Sequence, residues 1–308
     1  MLFFSLGLQH YTLAMASENH GRSCRPLNVA SRKCYAIAPV IVILDAMLVS
    51  KQTAVLIENC IKQTHIDVTC SYPVHAVLNI SGGAACFSGT DSFLTQVIGW
   101  GFATERDQFG DDIADIEHFY RQQGHPQVDI ELCPLVPHWL PLQLGKRGYR
   151  LTEMNTISII DLRQQGVQWH SNNTSCLIRP VEKREMSAWA RVVAHGFNCL
   201  EAEEHFYRYA SAANVTAFAA LVDNNLVAGG TIAIHDGIGD LGVTSTLPLY
   251  RGKGLQKALL FSRLQFAKEQ GVQLAAVTTA PGSVSELNCQ KAGFQCVYTR
   301  VKLTLSLE

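Results

Sequence analysis

The sequence predicts an α/β protein built on a mixed sheet and organised as two related halves. Three observations carry this. The 308 residues are 47% hydrophobic and only 17% charged, which suits a packed core rather than a disordered chain. Apolar strand-like runs alternate with helical periodicity through the C-terminal part. The N-terminal part repeats that order weakly.

Taken along the chain, residues 1–35 are mixed and aperiodic and read as a poorly ordered extension. MLFFSLG only faintly imitates a signal peptide: it has no basic start, and Gln9, His10 and Tyr11 break the apolar run. Ala36–Val49 contains Pro39 and Asp45, too short and interrupted to span a bilayer, so it reads as a core strand or helix. In the N-terminal half, 36–162, a strand is expected at Phe93–Phe102 and a helix at Asp111–Gly124, with Ile113, Ile116, Phe119 and Tyr120 on one side. Val128–Leu132 follows as a strand, His138–Gly145 as a short helix and Met154–Ile160 as a strand. Gly82-Gly83 reads as a glycine turn, since no GxSxG surrounds Ser88. The connector Arg163–Ser175, rich in Gln, Asn and Ser, marks the boundary.

The second half, 176–308, gives a short strand at Cys176–Arg179 and helices at Glu185–Phe197 and Ala202–Ala212. Strands Val215–Val222 and Leu226–His235 flank the hairpin turn Asp223-Asn224-Asn225, and Asp236-Gly237 turns into a strand at Asp240–Thr246. Leu255–Gln270 is a helix, with Leu255, Ala258, Leu259, Ser262 and Phe266 on its apolar face and Gly271 closing it. Strand Val272–Thr279, helix Ser283–Ala292 and a terminal strand over Phe294–Leu305 complete the order. GYRL at 148 and GFQC at 293 occupy matching places, each opening a terminal strand.

Twenty-five basic against 26 acidic residues leave a net charge of -1, which argues against a protein held to nucleic acid by its overall field. No membrane partner is expected. Ten scattered cysteines form no CxxC and no Cys/His ligand spacing, so no metal site is expected. Free, mostly buried thiols in a reducing cytoplasm are the reading, and the sequons at Asn79, Asn172, Asn173 and Asn214 then carry no meaning.

Chemistry concentrates in VTSTLPLYRGKGLQKALL, from Val243 to Leu260. A strand ends at Thr246, and RGKGLQ opens the long helix. Gly252 and Gly254 allow close backbone approach, helix N-terminal N–H groups point outward, and Lys253 and Lys257 add positive charge. The expected ligand is a pyrophosphate. GxxxxGK[ST] is absent and the glycine spacing is wrong for a dinucleotide fingerprint.

This segment resembles the acetyl-CoA motif of the GNAT acetyltransferase superfamily, [QR]xxGx[GA] after a strand, and PGSVSELNCQKAGFQCVYTRV resembles the last helix and strand of that fold. The likeness covers the chain from residue 176 well and the N-terminal half loosely, as in bacterial two-domain GNAT proteins that keep the cofactor motif only in the C-terminal half. It implies acetyl-CoA, or another acyl-CoA, as cosubstrate. Thr244, Ser245 and Thr246 match the strand residues that pair with pantetheine; Arg251, Gly252, Lys253, Gly254, Leu255, Gln256 and Lys257 match the pyrophosphate loop. Gln256 stands where Gly or Ala is usual and narrows the room beside the phosphates. Ser285 and Asn288 are further cofactor contacts. The family's Asn and its general-acid Tyr fall on Gly282 and Cys289, and a thiol can in principle protonate a leaving thiolate.

The reaction implied is direct attack of a neutral amine on the thioester in a ternary complex, with Asp240 or His235 as base. The acceptor is a small-molecule or peptide amine. Its wall is expected among Trp189, His195, Phe197, Glu201, Glu203, Glu204, His205 and Tyr207. The first half, with Asp107, Asp111, Asp112 and Asp115 where a phosphate loop would lie, reads as a degenerate GNAT-like half that shapes the cleft. A catalytically inactive acyl-CoA-binding regulatory or scaffold protein is the alternative.

Overall fold

A computed structural model describes residues 49–163 and 176–307. The N-terminal extension, nearly all of Ala36–Val49 and the connector after Arg163 lie outside the described residues. One 12-stranded sheet runs through the molecule. The N-terminal half contributes α1 (Lys51–Thr69), β1 (Ala76–Ile80), β2 (Gly83–Phe87), β3 (Gln96–Ile98), α2 (Phe109–Gln122), β4 (Gln127–Leu132), α3 (Trp139–Lys146) and β5 (Arg150–Asp161). The C-terminal half contributes β6 (Leu177–Pro180), α4 (Met186–Gly196), α5 (Glu203–Ser211), β7 (Val215–Val222), β8 (Asn225–His235), β9 (Ile238–Leu241) and β10 (Thr244–Thr246). It closes with α6 (Leu255–Glu269), β11 (Leu274–Thr279), α7 (Val284–Lys291) and β12 (Gln295–Ser306).

Local sequence explains most of these boundaries. Ser81 and Gly82 turn β1 into β2, and Asp223 and Asn224 turn β7 into β8, each pair at positive φ as the tight hairpin turns demand. Gly83 is not itself in the turn: a Cβ there would meet the Trp100 backbone at 2.5 Å. Ser283 caps α7 through its hydroxyl, and Gly271 (φ +77°) ends α6. The strand expected at Phe93–Phe102 shrinks to β3, because Gly99 and Gly101 take positive φ. Ser262 and Phe266 of α6 are only half-buried, whereas Arg263 and Leu264 turn inward. The strand expected at Asp240–Thr246 breaks at Gly242–Val243 into β9 and β10.

The strand order is β1-β2-β3-β4-β12-β5-β11-β9-β8-β7-β6, with β10 also on β8. Each half has therefore given its last strand to the other. β12 lies between β4 and β5, and β5 lies between β12 and β11. GYRL and GFQC are the entries to these two exchanged strands. Helix α2 follows β3 as α6 follows β10, so Asp111 and Asp112, in the first turn of α2, stand where the residues opening α6 stand in the second half. Asp112 is an internal acceptor there, for the Ser81 hydroxyl at 2.9 Å and the Trp100 indole at 3.1 Å.

Helix α1 was not foreseen. It lies across the join, against β2 and β3 of its own half and β8 and β9 of the other. Its Glu58 accepts from Tyr298 (2.8 Å) and Arg300 (3.2 Å) on β12, and Arg300 also reaches Glu131 on β4 at 3.3 Å. Burial pulls the Arg300 pKa down, but Glu58 and Glu131 more than offset it. Arg300→Met leaves buried Glu58 with the Tyr298 hydroxyl and no cation, while Glu131 keeps Lys302 at 3.4 Å, and is expected to cost about 3 kcal/mol in urea unfolding. An unchanged midpoint would show that this network does not tie the halves.

Candidate active site

The feature that organises the site is a divergence of strands. β9 pairs with β11 in parallel only as far as Leu241–Val277. Beyond Gly242 the chain stays on β8, as β10, and leaves β11. Thr231 N–H donates to Val243 O and Leu247 N–H to Val227 O, so residues 243 and 247 are the bonded partners of β8. By antiparallel alternation Thr244 and Thr246 turn their backbone amides to the edge that β11 has left, and Ser245 turns toward β8. The Ser245 hydroxyl is buried against Val193 O at 2.9 Å. The narrow cleft so opened is lined by Leu241, Thr244, Gln256, Leu260, Arg263, Val277, Ser285, Asn288 and Cys289.

Helix α6 begins directly above this cleft. Its N-cap is Gly254, at φ +76° and with no capping side chain, so the first-turn N–H groups of Leu255, Gln256 and Lys257 have no side-chain acceptor from the cap. Gly252 also takes positive φ, +75°. Arg251 does not point at this anion position. Its guanidinium donates to Thr246 O (3.2 Å) and Gly196 O (2.7 Å), bracing the loop against β10 and α4. Lys253 lies 4.8 Å over the Tyr250 ring and Lys257 5.2 Å over Phe261, both on the exposed side. Gln256 reaches across the cleft mouth: it accepts from Asn288 at 2.6 Å and donates to the Ser285 hydroxyl at 3.4 Å. Three residues named separately from the sequence are thus one bridge between α6 and α7.

The candidate proton carriers separate clearly. Asp240 is 7% exposed, under α1 and on the face of β9 opposite Leu241. That helix shields the carboxyl from solvent. Burial pushes its carboxyl up to about 6, against the lowering influence of Arg300 and Thr64. His235 pairs with Ile238 at the opposite end of the β8–β9 hairpin, and its ring faces Asp67 of α1 at 3.5 Å. Burial lowers its pKa. Cys289 is 4% exposed in the cleft wall, and burial pushes its thiol up to about 11.

The acceptor wall needs correction in part. Trp189 is fully buried core, bonded to Phe218 O at 2.9 Å and packed on Gly229. Glu203 pairs with Arg191, Glu204 with Arg208, and Glu201 accepts from the Cys199 thiol. The three glutamates are occupied at a helix start. His205 is bonded to Tyr72 of the first half.

Sequence reasoning missed Tyr209, Thr231 and Arg263, which all meet the strand break. A Cβ on Gly242 would lie 2.6 Å from the Tyr209 hydroxyl and 3.0 Å from Thr231 Oγ1. A Cβ on Gly230 would lie 2.9 Å from the Arg263 guanidinium carbon. Paired glycines inside a strand, Gly229-Gly230, were the available signal for such close approach.

The arrangement is a mixed sheet whose strands part beside the N-terminus of α6. Residues 184–294 match the model of the acetyltransferase (GNAT) family. The match lies within the C-terminal half. Among solved structures, a GCN5-related N-acetyltransferase from Kribbella flavida is similar over 80% of this chain and 95% of its own, at 16% identity and a TM-score of 0.60. A GCN5-related N-acetyltransferase from Sphaerobacter thermophilus covers 82% and 90%, at 13% identity and 0.56. A tandem GNAT protein from the clavulanic acid biosynthesis pathway covers 79% and 87%, at 15% identity and 0.53. These likenesses show the fold. No curated protein matches by sequence. Among the described residues no helix is long and apolar enough to cross a membrane.

Proposed function

We propose that the protein is an acetyl-CoA-dependent N-acetyltransferase acting on a small-molecule or peptide amine in the cytoplasm, with the two halves bounded at 36–162 and 176–308. The observation that carries this reading is the coincidence of three features at one place: the free edge of β10, the cleft beneath it and the uncapped start of α6. Their chemistry fits acetyl-CoA. The Thr244 and Thr246 amides are set to pair with the pantetheine amides as an added strand would, with Ser245 fixing the strand between them. The N–H groups of residues 252–257 suit the pyrophosphate, and Lys253 and Lys257 supply charge from the exposed side. Ser285 and Asn288 contact the cofactor once Gln256 yields its bridge.

When bound, acetyl-CoA supplies an activated acyl group on a thioester. The chain's own contribution is to hold an amine against it and take its proton. Asp240 is the base in this reading: it lies two residues before the strand break, on the face away from α6, with a carboxyl poised near neutrality. His235, at the far end of the hairpin and facing Asp67, is less suited.

The test is release of free CoA thiol from acetyl-CoA in the presence of a panel of polyamines, amino sugars, amino acids and peptide N-termini. Turnover with at least one amine class, above background hydrolysis, is the expected result. Tight binding with no turnover on any class would favour the regulatory alternative, which the Gln256 bridge and the Cys289 replacement support.

A further inference from the structure

Arg263 sets a problem that the fold alone does not answer. It is 2% exposed on α6, yet no carboxylate pairs with it among the described residues. The other deeply buried arginine, Arg300, has Glu58 and Glu131. Every hydrogen bond of Arg263 goes to a backbone carbonyl: Nε to Leu259 (3.1 Å), Nη1 to Thr231 (2.8 Å) and Gly242 (3.2 Å). Carbonyl dipoles orient a guanidinium but do not cancel its charge, and a buried uncompensated charge is costly to keep. Burial accordingly brings its pKa down to about 10. The bonds use Nε and Nη1 and leave Nη2 for the cleft that Arg263 lines beside Cys289. Gly230 keeps this position open.

We infer that Arg263 is a catalytic residue of the transfer step, placed to hold the CoA sulfur as a thiolate when it leaves. The inference rests on the acetyl-CoA reading above. As the amine nitrogen forms its bond to the acyl carbon, the carbon–sulfur bond breaks and its electron pair stays on sulfur. The amine's proton goes to Asp240. The negative charge so created lies in the cleft floor, where a fixed guanidinium in a water-poor site stabilises it strongly. The adjacent Cys289 thiol holds its proton too tightly to serve as the acid. Charge compensation by Arg263 removes the need for one.

The test compares binding of CoA and of desulfo-CoA by calorimetry between pH 6 and 8. The titratable groups near this spot are Cys289 from α7, Glu286 beside it and, two residues before Gly242 on β9, Asp240, whose carboxyl is pushed up to about 6. All are common to the two complexes, and a rise kept in Arg263→Met would belong to one of them rather than to Arg263. A thiol whose pKa falls by about two units on binding raises the CoA to desulfo-CoA affinity ratio several-fold across that range. In Arg263→Met the rise should vanish while desulfo-CoA affinity stays within about threefold, and Arg263→Lys should restore part of it. A ratio flat with pH in the wild type, or a rise kept in Arg263→Met, would overturn the inference. If the Met variant does not fold, the wild-type profile and the Lys variant decide. Failure of wild type to bind either ligand is a different result and defeats the cofactor reading itself.

Discussion

Gly254→Glu is expected to weaken acetyl-CoA binding by at least about 100-fold, or about 3 kcal/mol, with far-ultraviolet circular dichroism unchanged. Two effects add. The N-cap of α6 sits at φ +76°, where any side chain costs about 1 kcal/mol of backbone strain. The larger effect is electrostatic. A carboxylate at the head of α6 takes the unclaimed N–H groups and the positive end of the dipole for itself, so the pyrophosphate meets a like charge. Gly254→Ala separates the two, since it adds the strain without the charge. Titration calorimetry on both variants should show a small loss for Ala and near-abolition for Glu. Equal losses would mean that loop shape, not anion binding, is what matters.

Asp240→Asn is expected to lower kcat by about 10²–10⁴-fold while making the protein more stable at neutral pH. The kinetic part follows from its position beside the strand break. The wild-type rate should rise with pH through about 6, where Asp240 loses its proton, and this limb should be missing in the variant. The stability part follows from the sign of the shift. The carboxyl is raised from 3.8 to about 6 by burial, so between those values the folded state holds a proton that the unfolded state has released. Its stabilising contribution is present in acid and lost as pH rises through about 6. Above that, the buried charge costs on the order of 3 kcal/mol, most of which Asn removes. Thermal unfolding at pH 4 and pH 8 checks this: the variant's advantage should appear at pH 8 and shrink at pH 4. A variant as active as wild type would show that another group takes the proton.

What could be read from the sequence was mostly local. Asp223-Asn224 and Asp236-Gly237 specify their turns through residues that tolerate positive φ, and Ser283 and Gly271 mark helix ends through their own chemistry. GYRL and GFQC each lead into a long strand, β5 and β12, but nothing in either tetrapeptide says which neighbour its strand joins. The exchange of β5 and β12 is a long-range choice. Helix α1 was hidden because its buried face mixes Glu58, Thr64 and Thr69 with Ile57, Ile61 and Val68, which blurs an apolar period. That omission propagated to Asp240, which looks like a strand-edge aspartate until α1 is laid over it. The proposed cofactor loop stands out in the sequence because glycines, lysines and a helix start coincide in one short segment. Arg263 was not, since one arginine on an apolar helix face usually reaches solvent, and only the strand break above it gives it something to hold.

The central claim is that acyl-CoA binds where β10 parts from β11, in the C-terminal half alone. The acidic first turn of α2 places like charge where a second pyrophosphate would have to sit in the N-terminal half. The most direct measurement is the stoichiometry of acetyl-CoA binding to the full chain by titration calorimetry. One molecule bound per chain, at micromolar dissociation constant, is the predicted result. No binding heat, or two molecules per chain, would contradict it.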